Sequence, residues 1–224
     1  MRLAQHLDRL LEWLKWPAAL IALLLLLPAL LATWDLLRSI LETPAPLLPF
    51  LAGFFAYLLL WWAWLRRPIF GSFFSTMEHE LTHALFAWLT FHRVTGLRAS
   101  WRRGGHMTFV GRGNWLITIA PYFFPTVCLL VLILSLLLPA ALRGVSDLLM
   151  GSALAYHVTS TMRETHAGQT DLARAGWLFS AMFLPAANVI SFGLIVSHAH
   201  AGPRGLLEFL LSVPQPLLRW SGLS

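Results

Sequence analysis

The sequence predicts an all-α polytopic membrane protein with about six transmembrane helices and a short β-hairpin-like loop after the third. Of 224 residues, 58% are hydrophobic and only 12% charged, at a mean hydropathy of +0.68. A soluble domain has about a quarter of its residues charged, so this much apolar surface calls for an apolar solvent. The apolar residues also fall in runs near the ~20 residues that cross a bilayer. These runs are 17–34, 47–65, 69–91, 115–138, 145–162 and 174–197. Between the third and fourth, residues 92–114 break into short alternating stretches around Gly104-Gly105, the pattern of a hairpin.

Each end of the chain has its own character. Leu3, Leu7, Leu10, Leu11 and Leu14 recur at helical spacing, so 1–16 reads as an interfacial amphipathic helix. The following run is longer than a signal-peptide core, and Leu30 occupies the position where a cleavage site after Ala32 needs a small residue. An uncleaved first span is expected. No internal repeat or low-complexity tract interrupts 17–202, which reads as one membrane domain. Pro203, Pro214 and Pro216 mark 203–224 as a C-terminal surface tail.

The net charge of +6 comes almost wholly from arginines in short loops between apolar runs. That placement excludes nucleic acid as the partner and points to the lipid bilayer, with Arg102, Arg103 and Arg112 at lipid phosphates. Six spans put 92–114 and the polar stretch 163–173 on one face. With the N-terminus inside, eight Lys/Arg then fall on each side, so charge counting does not orient the chain. Cys128 is alone within an apolar run and is expected to be a buried, inert thiol.

Glu78, His79, Glu80 and His83 fall in the middle of the third run. Ionisable groups at that depth cost a few kcal/mol each, so by default they mark a functional site. His79 and His83 are one helical turn apart, so both imidazoles project from one face and can share a metal ion. Glu80 stands beside the first of them, where a carboxylate can take a proton from water activated by Zn2+. The bland alternative, polar residues tying helices together, is met more cheaply by Ser or Thr. A catalytic zinc needs a third protein ligand and an open position. His106, His157, Glu164, His166 and Asp171 are the candidates, Asp171 foremost because it stands at the start of the last run. Its bland reading is a helix N-cap or first-turn acid. His157 reads as a donor behind the ligands, a stabiliser of an oxyanion, or a packing histidine.

The run His79-Glu80-Leu81-Thr82-His83-Ala84-Leu85, the Gly104-Gly105 hairpin and the distal Gly168-Gln169-Thr170-Asp171 together resemble the site-2 protease family of intramembrane zinc metallopeptidases. The likeness is to its small bacterial branch without a PDZ domain and covers roughly 75–190. It implies His79, His83 and Asp171 as zinc ligands, Glu80 as general base, and a hairpin that helps present an unwound strand of a membrane-anchored protein substrate. It also implies a bacterial cytoplasmic membrane. Thr82 stands where that branch usually has Gly, and Gln169-Thr170-Asp171 departs from the Asp-Gly form of the larger proteases.

Two other classes compete. A non-catalytic zinc-binding relative would not need Glu80. A haem protein ligated by His157 with His79 or His83 gives that glutamate no role. Pro121 and Pro125 in the fourth run, with Pro185 and Asn188 in the sixth, are expected to kink or open helices, or simply to pack.

Overall fold

Leu and Ala, good helix formers, dominate the first 42 residues and make the first helix long. The computed structural model describes residues 2–100, 104–165 and 170–220, and in it α1 is one helix from Arg2 to Glu42. The expected division at residue 16 is absent, and Pro17 and Pro28 are absorbed within the helix. At 1.5 Å per residue α1 is roughly 60 Å long, about twice the thickness of a bilayer's hydrocarbon core. It therefore overhangs one end of the bundle, where Ala4 and Asp8 are buried against the rest of the protein.

Helix α2 (Leu48–Leu60) runs into a π-helical turn at Trp61–Leu65. It packs in parallel with α6 (Arg143–Glu164), and two glycines allow the contact. A Cβ on Gly53 would stand 1.9 Å from the Leu148 carbonyl oxygen, and one on Gly151 would stand 1.9 Å from that of Phe50. Close backbone approach through small residues is how membrane helices gain contact without a hydrophobic drive between them.

The fourth predicted run is broken. Helix α4 (Trp115–Ile119) continues through Tyr122, and α5 (Thr126–Leu137) sets off at 79° to it. Asn188 Nδ2 donates to the Tyr122 carbonyl at 3.0 Å, satisfying a backbone group that the break leaves without a helical partner. A short α7 (Thr170–Ala175) precedes α8 (Trp177–Ser212). Gly202, at φ 68° and ψ −157°, interrupts α8, and the chain doubles back there. Phe209 then fills the notch at Gly193, and Phe209 and Val213 pack on Ala29 and Ala32 of α1. Residues 203–212, expected within a surface tail, are a returning helix, followed by α9 (Gln215–Trp220).

Helix α3 (Pro68–Leu89) is not among the helices apolar enough to cross a membrane, so the six-span reading is met only in part. Ser75 and Thr76 face Glu164 at the end of α6, while Thr90, just past the helix, meets His92, which meets Asp8 of α1. The Ser75–Thr76 turn and the C-terminal end of α3 thus both lie toward the end of the bundle where α6 ends and α1 begins. Among the described residues, three helices are long and apolar enough to cross a membrane, or four if the bent α4–α5 pair is one span. Because α1 begins at the end where α3 finishes, the N-terminus and the hairpin share a face, which the six-span count had separated.

The hairpin is present. β1 (Val94–Ser100) and β2 (Gly104–Phe109) pair antiparallel, from Val94 opposite Phe109 to Ser100 opposite Gly104, with an irregularity between Val94 and Gly96. It lies along α3. Met107 and Phe109 pack with Phe86, Ala87 and Ile117, fixing it against the helix that carries the polar residues.

Candidate metal centre

Two consecutive turns of α3 and the first turn of α7 meet at one point. His79 Nε2 lies 3.2 Å from Asp171 Oδ2 and 3.1 Å from His83 Nε2. His83 Nε2 lies 3.3 Å from the same carboxylate oxygen. The structure thus gathers His79, His83 and Asp171 from the sequence candidates into one triangle of potential ligand atoms. Both histidines are buried and Asp171 nearly so.

The hydrogen bonding behind the triangle decides what it can hold. His83 Nδ1 lies 2.7 Å from the Ile117 carbonyl oxygen, which can only accept, so Nδ1 carries the proton. In the neutral ring Nε2 is then a lone pair, aimed at a carboxylate oxygen that is also an acceptor. Two facing acceptors repel unless a proton or a metal ion stands between them. A tetrahedral zinc with bonds of about 2.0–2.1 Å sets its ligand atoms about 3.3 Å apart, and the three observed separations of 3.1, 3.2 and 3.3 Å are of that size. Burial raises the Asp171 carboxyl, but the His79 and His83 imidazoles beside it outweigh burial and hold the group well below the ordinary carboxylate range. It is an anionic oxygen donor at neutral pH. The edge of the Tyr122 ring packs on His79, centroids 5.4 Å apart, and limits its rotation.

Glu80, on the same helix, borders a cavity of about 720 Å³ that opens beside the triangle. Gly105 of β2 lies directly on it, since a Cβ there would meet Glu80 Cγ at 2.6 Å and Thr76 Cγ2 at 2.3 Å. Arg112, expected at lipid phosphates, lines this cavity, as do Glu12 and Lys15 of α1.

The remaining candidates fall elsewhere. His157 Nδ1 lies 3.3 Å from Glu78 Oε1, and the pair is fully buried on the opposite side of α3 from the triangle. His157 does not border the cavity and does not share a site with His79 or His83, so neither the oxyanion nor the haem reading finds it in place. Glu164 accepts from Ser75 Oγ at 2.9 Å and borders the cavity. His106 is exposed on β2 at the cavity's edge. His166, Gln169, Arg102 and Arg103 lie outside the described residues. Cys128 is buried. Thr82, the departure from the small branch, is used in packing: its hydroxyl donates to the Glu78 carbonyl at 2.8 Å and meets Thr126 Oγ1 at 2.6 Å.

Sequence reasoning missed Tyr122, the Ile117 carbonyl, and the buried trio Asp8, His92 and Asn114. Asn114 directly before an apolar run was a legible helix-cap signal, and it does cap α4. The others carried no local pattern.

A helical membrane protein with a two-His, one-carboxylate triangle beside a glutamate has the site composition of a metallopeptidase. A family model described as Peptidase M50B-like matches residues 50–198, more than half of the chain. The protein belongs to that family, in agreement with its resemblance to site-2 proteases. No curated protein and no solved structure matches it.

Proposed function

We propose that this integral membrane protein is a zinc-dependent endopeptidase that cleaves membrane-anchored protein substrates within or at the edge of the bilayer. The observation that carries the reading is the meeting of His79 Nε2, His83 Nε2 and Asp171 Oδ2 in a triangle of zinc dimensions. His79, His83 and Asp171 would hold the metal. Bound zinc would supply a Lewis acid that polarises the scissile carbonyl and acidifies water.

The protein's own groups do the rest. The Ile117 carbonyl holds the proton on His83 Nδ1, keeping the other ring nitrogen aimed at the triangle. Glu80 accepts a proton from the attacking water and delivers it to the leaving amine. The open cavity admits water to that point. The β2 strand, seated on Glu80 through Gly105, offers an edge along which an unwound substrate segment can lie.

The proposed membrane is the bacterial cytoplasmic one, with the site toward the cytoplasm. Arg2, Arg9, Lys15, Arg93, Arg98, Arg112, Arg163 and Arg174 belong to the end that carries the hairpin. Arg38, Arg143 and Arg204 belong to the other, where Thr43 meets His200 and Arg143 meets Gly202. Such an excess favours a cytoplasmic hairpin face.

The test is cleavage of a tagged membrane-anchored substrate in proteoliposomes, with zinc measured on the same preparations. Glu80→Gln is expected to retain zinc and lose on the order of 10²–10⁴ in rate, the usual contribution of general acid–base catalysis. His79→Ala is expected to lose both. Stoichiometric zinc in the wild type without turnover would instead establish a non-catalytic zinc-binding relative.

A further inference from the structure

A buried polar cluster outside the site joins α1 to the two elements that flank the metal ligands. Asp8 Oδ2 accepts from His92 Nε2 at 3.1 Å, and Asp8 Oδ1 accepts from Asn114 Nδ2 at 2.8 Å. All three residues are more than nine-tenths buried. His92 Nδ1 lies 3.0 Å from Thr90 Oγ1, which bonds the Phe86 carbonyl in the last turn of α3. Asn114 Oδ1 in turn accepts from the Ile117 backbone N–H at 3.2 Å. Ile117 is the residue whose carbonyl holds His83 Nδ1. One peptide segment therefore has its N–H gripped from the Asp8 side and its C=O gripping a metal ligand.

The segment needs that grip. Helix α4 has five residues, too few to hold its own geometry in isolation. Its far end opens into the break after Tyr122, so helical continuity does not support it there either. A second contact from α1, Trp115 Nε1 donating to the Leu11 carbonyl at 2.6 Å, pins the same helix from the same side. Asp8 lies outside the segment that matches the family model, which begins at residue 50.

We propose that Asp8 is a positioning residue for the metal centre, acting through Asn114 and α4 on the tautomer and aim of His83. This rests on reading the triangle as a zinc site. The role belongs to the hydrogen bond with Asn114, so a neutral acceptor of the same shape should suffice.

The test uses purified full-length protein, with zinc affinity measured by competition with a chromophoric chelator and ligand geometry read from the d–d bands of the cobalt-loaded form. Asp8→Ala is expected to weaken zinc about tenfold, the lower end for groups that orient ligands, and to shift the cobalt bands. Asp8→Asn, which keeps an acceptor for Asn114, should stay within about threefold of wild type. If circular dichroism shows Asp8→Ala to be unfolded, Asn114→Ser carries the test. It keeps a cap acceptor for Ile117 but loses the reach to Asp8, and should weaken zinc to a similar extent. Wild-type affinity and cobalt bands in the folded variant overturn the proposal, as does an Asp8→Asn variant as weak as Asp8→Ala. A wild type that binds no zinc overturns the zinc reading itself.

Discussion

Replacing Gly105 by alanine perturbs the base without touching a metal ligand. The added Cβ would stand 2.3 Å from Thr76 Cγ2, 2.6 Å from Glu80 Cγ and 2.9 Å from Glu80 Oε1. Carbon atoms rest about 3.5–4.0 Å apart, so either β2 lifts or Glu80 swings by about 1 Å. Thr76 and Glu80 are on a helix held by the hairpin on one side and α6 on the other, so relief falls on the Glu80 side chain and the strand edge. A misplacement of about 1 Å in a reacting group costs on the order of 100-fold in rate, and overpacking costs a further 1–3 kcal/mol of stability. Parallel assays of substrate cleavage in proteoliposomes and of bound zinc should show cleavage down about 100-fold with zinc unchanged. Wild-type cleavage by Gly105→Ala would refute the seating of the hairpin on Glu80. Loss of zinc would refute the separation of the base from the ligand triangle.

Other perturbations test the frame that holds the site. Gly151→Ala places a Cβ 1.9 Å from the Phe50 carbonyl oxygen and should prise α2 from α6. A loss of about 1–3 kcal/mol, read as unfolding at a lower mole fraction of denaturing detergent, is expected. Thr82→Val removes the donor to the Glu78 carbonyl and strands the Thr126 hydroxyl. It should cost about 1–2 kcal/mol by the same assay while leaving zinc content unchanged, because neither hydroxyl bond involves an atom of the triangle.

The candidate site was more legible than the architecture because His79, Glu80 and His83 lie on two consecutive turns of one helix, where spacing dictates which side chains share a face. Asp171 is 92 residues from His79, and only its place at a helix start pointed to it. The hairpin was legible because Gly104-Gly105 punctuates two alternating runs. The course of α3 was not: its 22 residues have the length of a span, but the helix is not among those apolar enough to cross a membrane. That mismatch also hid the orientation, since the arginines of α1 lie on the hairpin's side. The helix that returns after residue 202 was not legible, because its prolines suggested an irregular end, whereas Gly202 supplies a left-handed turn and Gly193 the notch that receives Phe209. Asp8 and Asn114 meet across 106 residues, and no periodicity in either segment encodes the contact.

X-ray absorption at the zinc edge, on wild-type protein beside Asp171→Ala, addresses the ligand triangle most directly. One zinc per chain is expected in the wild type, with two imidazole nitrogens and a carboxylate oxygen in its shell, and the alanine variant should give up the metal to a chelator that the wild type resists. Wild-type protein that purifies without zinc, or an alanine variant that keeps it as tightly, would contradict the site as drawn from His79, His83 and Asp171.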